Sequence, residues 1–71
     1  MVDTNKLRGK IVERGMSVPV VADKMGIHKS TFYRKIAGNC PITIQDADLL
    51  VSILGLTAEE AKSIFFSQLV A

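Results

Sequence analysis

Apolar side chains recur at intervals of three and four along most of this chain, the spacing that lines one face of an α-helix, and each periodic stretch opens and closes on a recognisable signal. Asp3 or Thr4 can cap a first helix running to about Arg14, with Leu7 and Ile11 turned inward and Gly15 ending it. Gly9 lies inside that helix and weakens it by about 1 kcal/mol relative to alanine, a cost expected where a neighbouring helix comes close. Ser17 is a good N-cap for a second helix whose apolar positions are Val18, Val21, Ala22 and Met25, and Pro19 falls in its first turn, where a missing N–H matters little. Gly26 supplies a turn. A third helix is expected from about Lys29 to Ala37, closed by Gly38-Asn39 and the Cys40-Pro41 break.

Thr43 with Asp46 resembles a capping box and opens a fourth helix through Leu54, apolar apart from a stripe of Gln45, Asp48 and Ser52 near Asp46. Such a helix is expected in the middle of the core. Gly55 stops it, and Thr57-Ala58-Glu59-Glu60 forms a full capping box for a last helix with Ala61, Ile64, Phe65 and Leu69 on one face. Ile42-Thr43-Ile44 alternates like a strand but is too short to outweigh the capping pattern. The breaks between helices are only a few residues long, so the elements pack as one all-α domain spanning residues 1–71.

A chain of 71 residues has room for one small core, and a domain of this size buries only about 60% of the surface its unfolded form exposes. With 48% apolar residues, part of the remaining surface is a candidate for cover by a partner, most simply a second copy of the chain. The candidate dimer surface is the last helix, where Phe66, Leu69 and Val70 lie beside its core-facing stripe; the plainer alternative is that they close the core. No apolar run approaches the roughly 20 residues of a membrane span, and Met1-Val2-Asp3-Thr4 lacks a signal-peptide pattern, so a cytoplasmic location is expected. Cys40 reads as a small loop filler, and with His28 alone for company it assembles no zinc site.

The net charge of +2 conceals a polarity. Up to Gly38 the chain carries eight cations against three acids; beyond it, Lys62 stands against Asp46, Asp48, Glu59 and Glu60. A basic amino-terminal half suits a polyanion. On the wheel of the third helix, Phe32 and Ile36 point inward toward Val21, Ala22 and the central helix, while Lys29 with Tyr33 and Ser30 with Arg34 point outward, each pair at i and i+4. A helix fits the major groove of duplex DNA. There arginine pairs with guanine O6 and N7, lysine reaches the same acceptors, serine donates or accepts, and tyrosine meets a thymine methyl, a base edge or a phosphate. The plainer reading makes Lys29, Tyr33, Arg34 and Lys35 a solvated helix face. Their joint placement after a capped helix and a glycine turn favours DNA.

Free N–H groups at the starts of the second and third helices are natural phosphate sites. Ser17 and Asn39 flank that region; Ser17 could serve as cap, phosphate ligand or both, and Asn39 as a turn residue or a backbone contact. His28 is a poor cap where serine or threonine is usual, and could instead meet a phosphate in a pH-dependent way. Lys24 is expected to attract DNA irrespective of its sequence.

Val21-Ala22-Asp23-Lys24-Met25-Gly26, continuing through Ser30 to Gly38, resembles the second helix, turn and third helix of the phage lambda repressor and Cro type of helix-turn-helix. Asn5-Lys6-Leu7-Arg8-Gly9-Lys10-Ile11, together with Leu54-Gly55-Leu56-Thr57 and Ile64-Phe65-Phe66, is similar to very short prophage regulators of that family. The resemblance implies five α-helices, DNA binding without a cofactor or metal, and recognition residues at His28, Lys29, Ser30, Thr31, Tyr33 and Arg34. One departure matters: the family often has glutamine where this chain has Val18, which packs and cannot brace the recognition helix. The implied function is a sequence-specific transcriptional regulator, in its simplest form a repressor whose two copies occupy a double-stranded operator. The apolar surplus and acidic last helix also suit a protein-interaction module such as an antitoxin or antirepressor. With one histidine and no acid/base or nucleophile constellation, no enzymatic activity is expected.

Overall fold

The computed structural model describes residues 2–66, which form five helices: α1 (Thr4–Glu13), α2 (Val18–Met25), α3 (Lys29–Ile36), α4 (Ile44–Leu54) and α5 (Ala58–Phe65). No strand occurs among the described residues. Each helix begins on a side chain that satisfies an otherwise orphaned N–H. The Asp3 carboxylate accepts from the Lys6 N–H at 3.1 Å, and Ser17 Oγ accepts from the Val20 N–H at 3.4 Å. At α4 and α5 both halves of the capping box are made, Thr43 with Asp46 and Thr57 with Glu60.

The turn between α2 and α3 needs Gly26, whose φ of 77° lies in the left-handed region that a side chain disfavours. Its N–H returns to the Asp23 carbonyl, and the Ile27 N–H returns to the Ala22 carbonyl at 3.1 Å. These two bonds tie off the end of α2 so that α3 can start within three residues.

Helix α2 is the hub: it packs against α1, α3 and α4, while α5 closes on α1 and α4. Val21, Ala22 and Met25 meet Leu7 and Ile11 of α1, Phe32 and Ile36 of α3, Leu50 and Leu54 of α4, and Ile64 and Phe65 of α5 in one buried cluster. Val18 is half-buried against that cluster, as its apolar side chain requires.

Two expectations are corrected. Helix α4 is not enclosed by the core: Ile44 is 79% and Leu49 42% exposed, and only Leu50 and Leu54 are fully sealed. Five short helices have too little surface to wrap one of their number, so half of α4 faces water. Nor does Gly9 admit a neighbouring helix. A Cβ built there meets nothing within 4 Å, and the residue is exposed. None of the helices is long and apolar enough to cross a membrane among the described residues.

Candidate nucleic-acid interface

Helix α3 divides as its sequence predicts: Phe32 is fully buried and Ile36 nearly so, while Lys29, Ser30 and Arg34 are exposed and Tyr33 is 45% exposed. Thr31 lies at the edge, half-buried. The eight residues of α3 extend about 12 Å, so the Lys29 and Tyr33 row and the Ser30 and Arg34 row run side by side along its outer surface.

The cations of the amino-terminal half have unequal freedom. The Lys35 ammonium donates to Asp46 Oδ2 at 2.8 Å and to the Pro41 carbonyl at 3.1 Å, and its side chain is only 15% exposed. Lys35 therefore leaves the readable face and clasps the end of α3 to the start of α4. Burial pushes the Asp46 carboxyl up, but the Lys35 ammonium and the Thr43 N–H together outweigh it and hold the group below its ordinary range.

Arg14 points inward as well. Its Nε donates to the Leu54 carbonyl at 2.7 Å and its guanidinium reaches the Gly55 carbonyl at 3.4 Å, satisfying the exposed end of α4. Lys10 pairs with Glu60 and Glu13, which raises the Lys10 pKa and, with the Thr57 N–H, draws the Glu60 carboxyl down to about 2. Lys6 donates to Ser63 Oγ at 2.6 Å. Among the described residues, Arg8, Lys24, Lys29 and Arg34 form no ion pair or side-chain hydrogen bond, and three of these four lie on α2 and α3. The free positive charge is thus more local than the half-chain sum implies.

His28 is the N-cap of α3, contrary to the expectation that it caps poorly. Its Nδ1 accepts from the Ser30 N–H at 3.2 Å and lies 2.8 Å from Ser30 Oγ. An unprotonated imidazole nitrogen offers an in-plane lone pair much as a carboxamide oxygen does, and the extended backbone at residue 28 aims it at the first turn. The helix starts have few donors left. The Thr31 and Phe32 N–H groups bond the His28 carbonyl, Pro19 has no N–H, and the Val20 and Val21 N–H groups are taken by Ser17. Only the first N–H of each helix, at Val18 and Lys29, has no partner among the described residues.

Pro19 and Asp23 of α2 face Ile27, His28 and Lys29 across a shallow groove of about 240 Å³, so a carboxylate stands beside the amino-terminal end of the candidate surface. Ser17 and Lys24 are exposed on α2. Asn39 is exposed beyond the opposite end of α3, where its N–H bonds the Arg34 carbonyl at 2.9 Å. A larger groove of about 400 Å³ lies beside that end, apolar through Val2, Ile36 and Ile42, with half-buried Cys40 at its wall. No group of three metal-ligating side chains occurs among the described residues. Phe66, one of the three expected dimer residues, is 47% exposed at the end of α5; Leu69 and Val70 lie outside the described residues.

The roles of Arg14 and of the Lys10–Glu60 pair carry no signal in the sequence, since their partners lie 40 or more residues away. Comparisons with protein-family models, with curated proteins and with solved structures found no match to this chain.

Proposed function

We propose that the protein is a sequence-specific DNA-binding regulator of the lambda repressor and Cro type, with α2 and α3 as its helix-turn-helix and α3 as the reading helix. One observation carries the proposal: a single short helix buries Phe32 and Ile36 while exposing Lys29, Ser30, Tyr33 and Arg34, and among the described residues its two outward cations form no ion pair, whereas Lys6, Lys10, Arg14 and Lys35 are engaged. An arginine and a lysine with no partner among the described residues keep their capacity for guanine acceptors and phosphates. Lys24 supplies backbone attraction from α2. Ser17 and His28 act first as caps, and Asn39 sits where it can meet a phosphate beyond the far end of α3. In its simplest form the protein is a repressor.

One helix makes few base contacts. Two copies about 34 Å apart, one turn of duplex, would supply the missing affinity, with exposed Phe66 in the region where the copies meet.

Enrichment of fragments from a random duplex pool, followed by a salt titration on the enriched sequence, tests the proposal. A consensus with two-fold symmetry and an affinity falling log-linearly with salt is expected. A second reading, a protein-interaction module, is favoured by the exposure of Ile44, Leu49 and Phe66. It predicts no enrichment and a partner whose binding responds weakly to salt.

A further inference from the structure

We propose that Ser30 reads DNA as a hydrogen-bond acceptor only, selecting a base that presents an exocyclic amino group in the major groove, because its hydroxyl hydrogen is already committed in a hydrogen bond to His28. This inference rests on the DNA-reading assignment of α3 and specifies the chemistry of one of its contacts.

The Oγ of Ser30 and the Nδ1 of His28 are 2.8 Å apart, too close for two lone pairs to face each other, so a hydrogen lies between them. Its owner is set by a second bond. The Ser30 N–H also points at Nδ1, 3.2 Å away, and an N–H directed at this nitrogen requires it to carry a lone pair and no proton. The neutral ring is therefore the tautomer protonated on Nε2, and the shared hydrogen belongs to the serine: Oγ–H donates to Nδ1. With its single donor spent inward, the exposed Ser30 hydroxyl offers outward only its remaining acceptor capacity.

In the major groove, amino groups are presented by adenine at N6 and by cytosine at N4, whereas guanine O6 and N7 and thymine O4 are acceptors that would face a lone pair of Ser30. A serine free to rotate serves either kind of base. One oriented by His28 does not. His28 is thus a positioning residue: it acts on the base through Ser30, and its Nε2–H remains available toward solvent.

The test compares base preference, position by position, in fragments selected by the wild type, Ser30→Ala and His28→Gly. Glycine is accepted at an N-cap nearly as well as serine or asparagine, so α3 still forms. The wild type should prefer adenine or cytosine over guanine or thymine by about fivefold at one position of each half-site, the effect of a single neutral hydrogen bond. Both variants should lose that preference and keep the rest of the consensus. A preference that survives His28→Gly, or that is lost with Ser30→Ala alone, overturns the inference while leaving DNA reading intact; no enrichment by the wild type overturns both. Nitrogen NMR of the free protein checks the premise without DNA: a neutral His28 ring protonated on Nε2 supports it, and one protonated on Nδ1 overturns it.

Discussion

Replacing Lys35 with methionine separates a structural cation from a DNA-facing one. The substitution keeps most of the aliphatic stem, which covers apolar surface, and removes only the ammonium that joins α3 to Asp46 and to the Pro41 carbonyl. Solvent-exposed ion pairs contribute about 0.2–1 kcal/mol and breaking a fully buried pair costs about 3–5 kcal/mol. With the two side chains 15% and 13% exposed, this pair falls between those limits. Asp46 also keeps the Thr43 N–H at 3.0 Å, which softens the loss of its cation. A destabilisation of about 1–2 kcal/mol follows, and in a domain of this size each kcal/mol lowers Tm by about 4–8 °C.

Thermal and urea unfolding of Lys35→Met, Asp46→Asn and the double variant measure it. Asparagine retains the capping contact, so the cycle isolates the charge pair. A coupling energy below about 0.3 kcal/mol, within the scatter of independent sites, would refute the clasp. So would a Lys35→Met protein of unchanged stability that loses DNA affinity as a phosphate-contacting lysine does.

Gly9→Ala should stabilise the protein by about 0.8–1.0 kcal/mol, since the added methyl meets no atom within 4 Å on an exposed helical site; a lower midpoint in urea would show that the glycine has a packing role after all. Arg34→Ala should weaken binding to an enriched sequence by about 1–3 kcal/mol and relax one base position, whereas Lys24→Ala should lower affinity for all sequences and reduce the salt slope by about 1. Equal losses on selected and random duplex in a competition assay would argue against base reading by Arg34. Glu60, whose carboxyl is drawn from 4.5 to about 2, contributes stability that is complete above the unfolded value and is lost as pH falls through the folded one. Unfolding midpoints between about pH 5 and pH 2 should therefore decline less steeply in Glu60→Gln than in the wild type; parallel profiles would remove the Lys10–Glu60 contact from the acid response.

Features that act over three or four residues were legible in the sequence. Ser17, the Thr43–Asp46 and Thr57–Glu60 boxes and the spacing of Leu7 with Ile11 or Phe32 with Ile36 locate the helix starts and buried faces, because capping and helical periodicity are local. His28 was legible as the start of α3 but not as its cap, since whether imidazole presents a lone pair depends on its tautomer. What the chain order conceals is the fate of each charge. Arg14, Lys10 and Lys35 count equally with Lys29 and Arg34 in any sum, yet tertiary packing delivers the first three to carbonyls and carboxylates distant in sequence. Exposure of Ile44 and Leu49 was missed for a related reason: an apolar helix reveals its appetite for burial, not the area its neighbours can provide.

A helix that carries its own start signal has its first turn specified locally, although helices this short gain most of their stability by packing on one another. With five such helices joined by short connections, many native contacts lie close in sequence, and helical domains of this kind fold in microseconds to milliseconds. A polypeptide that acquires its working shape this quickly spends little time with Phe32 or Leu50 available to other chains, so its yield in a crowded translation mixture should depend little on chaperones.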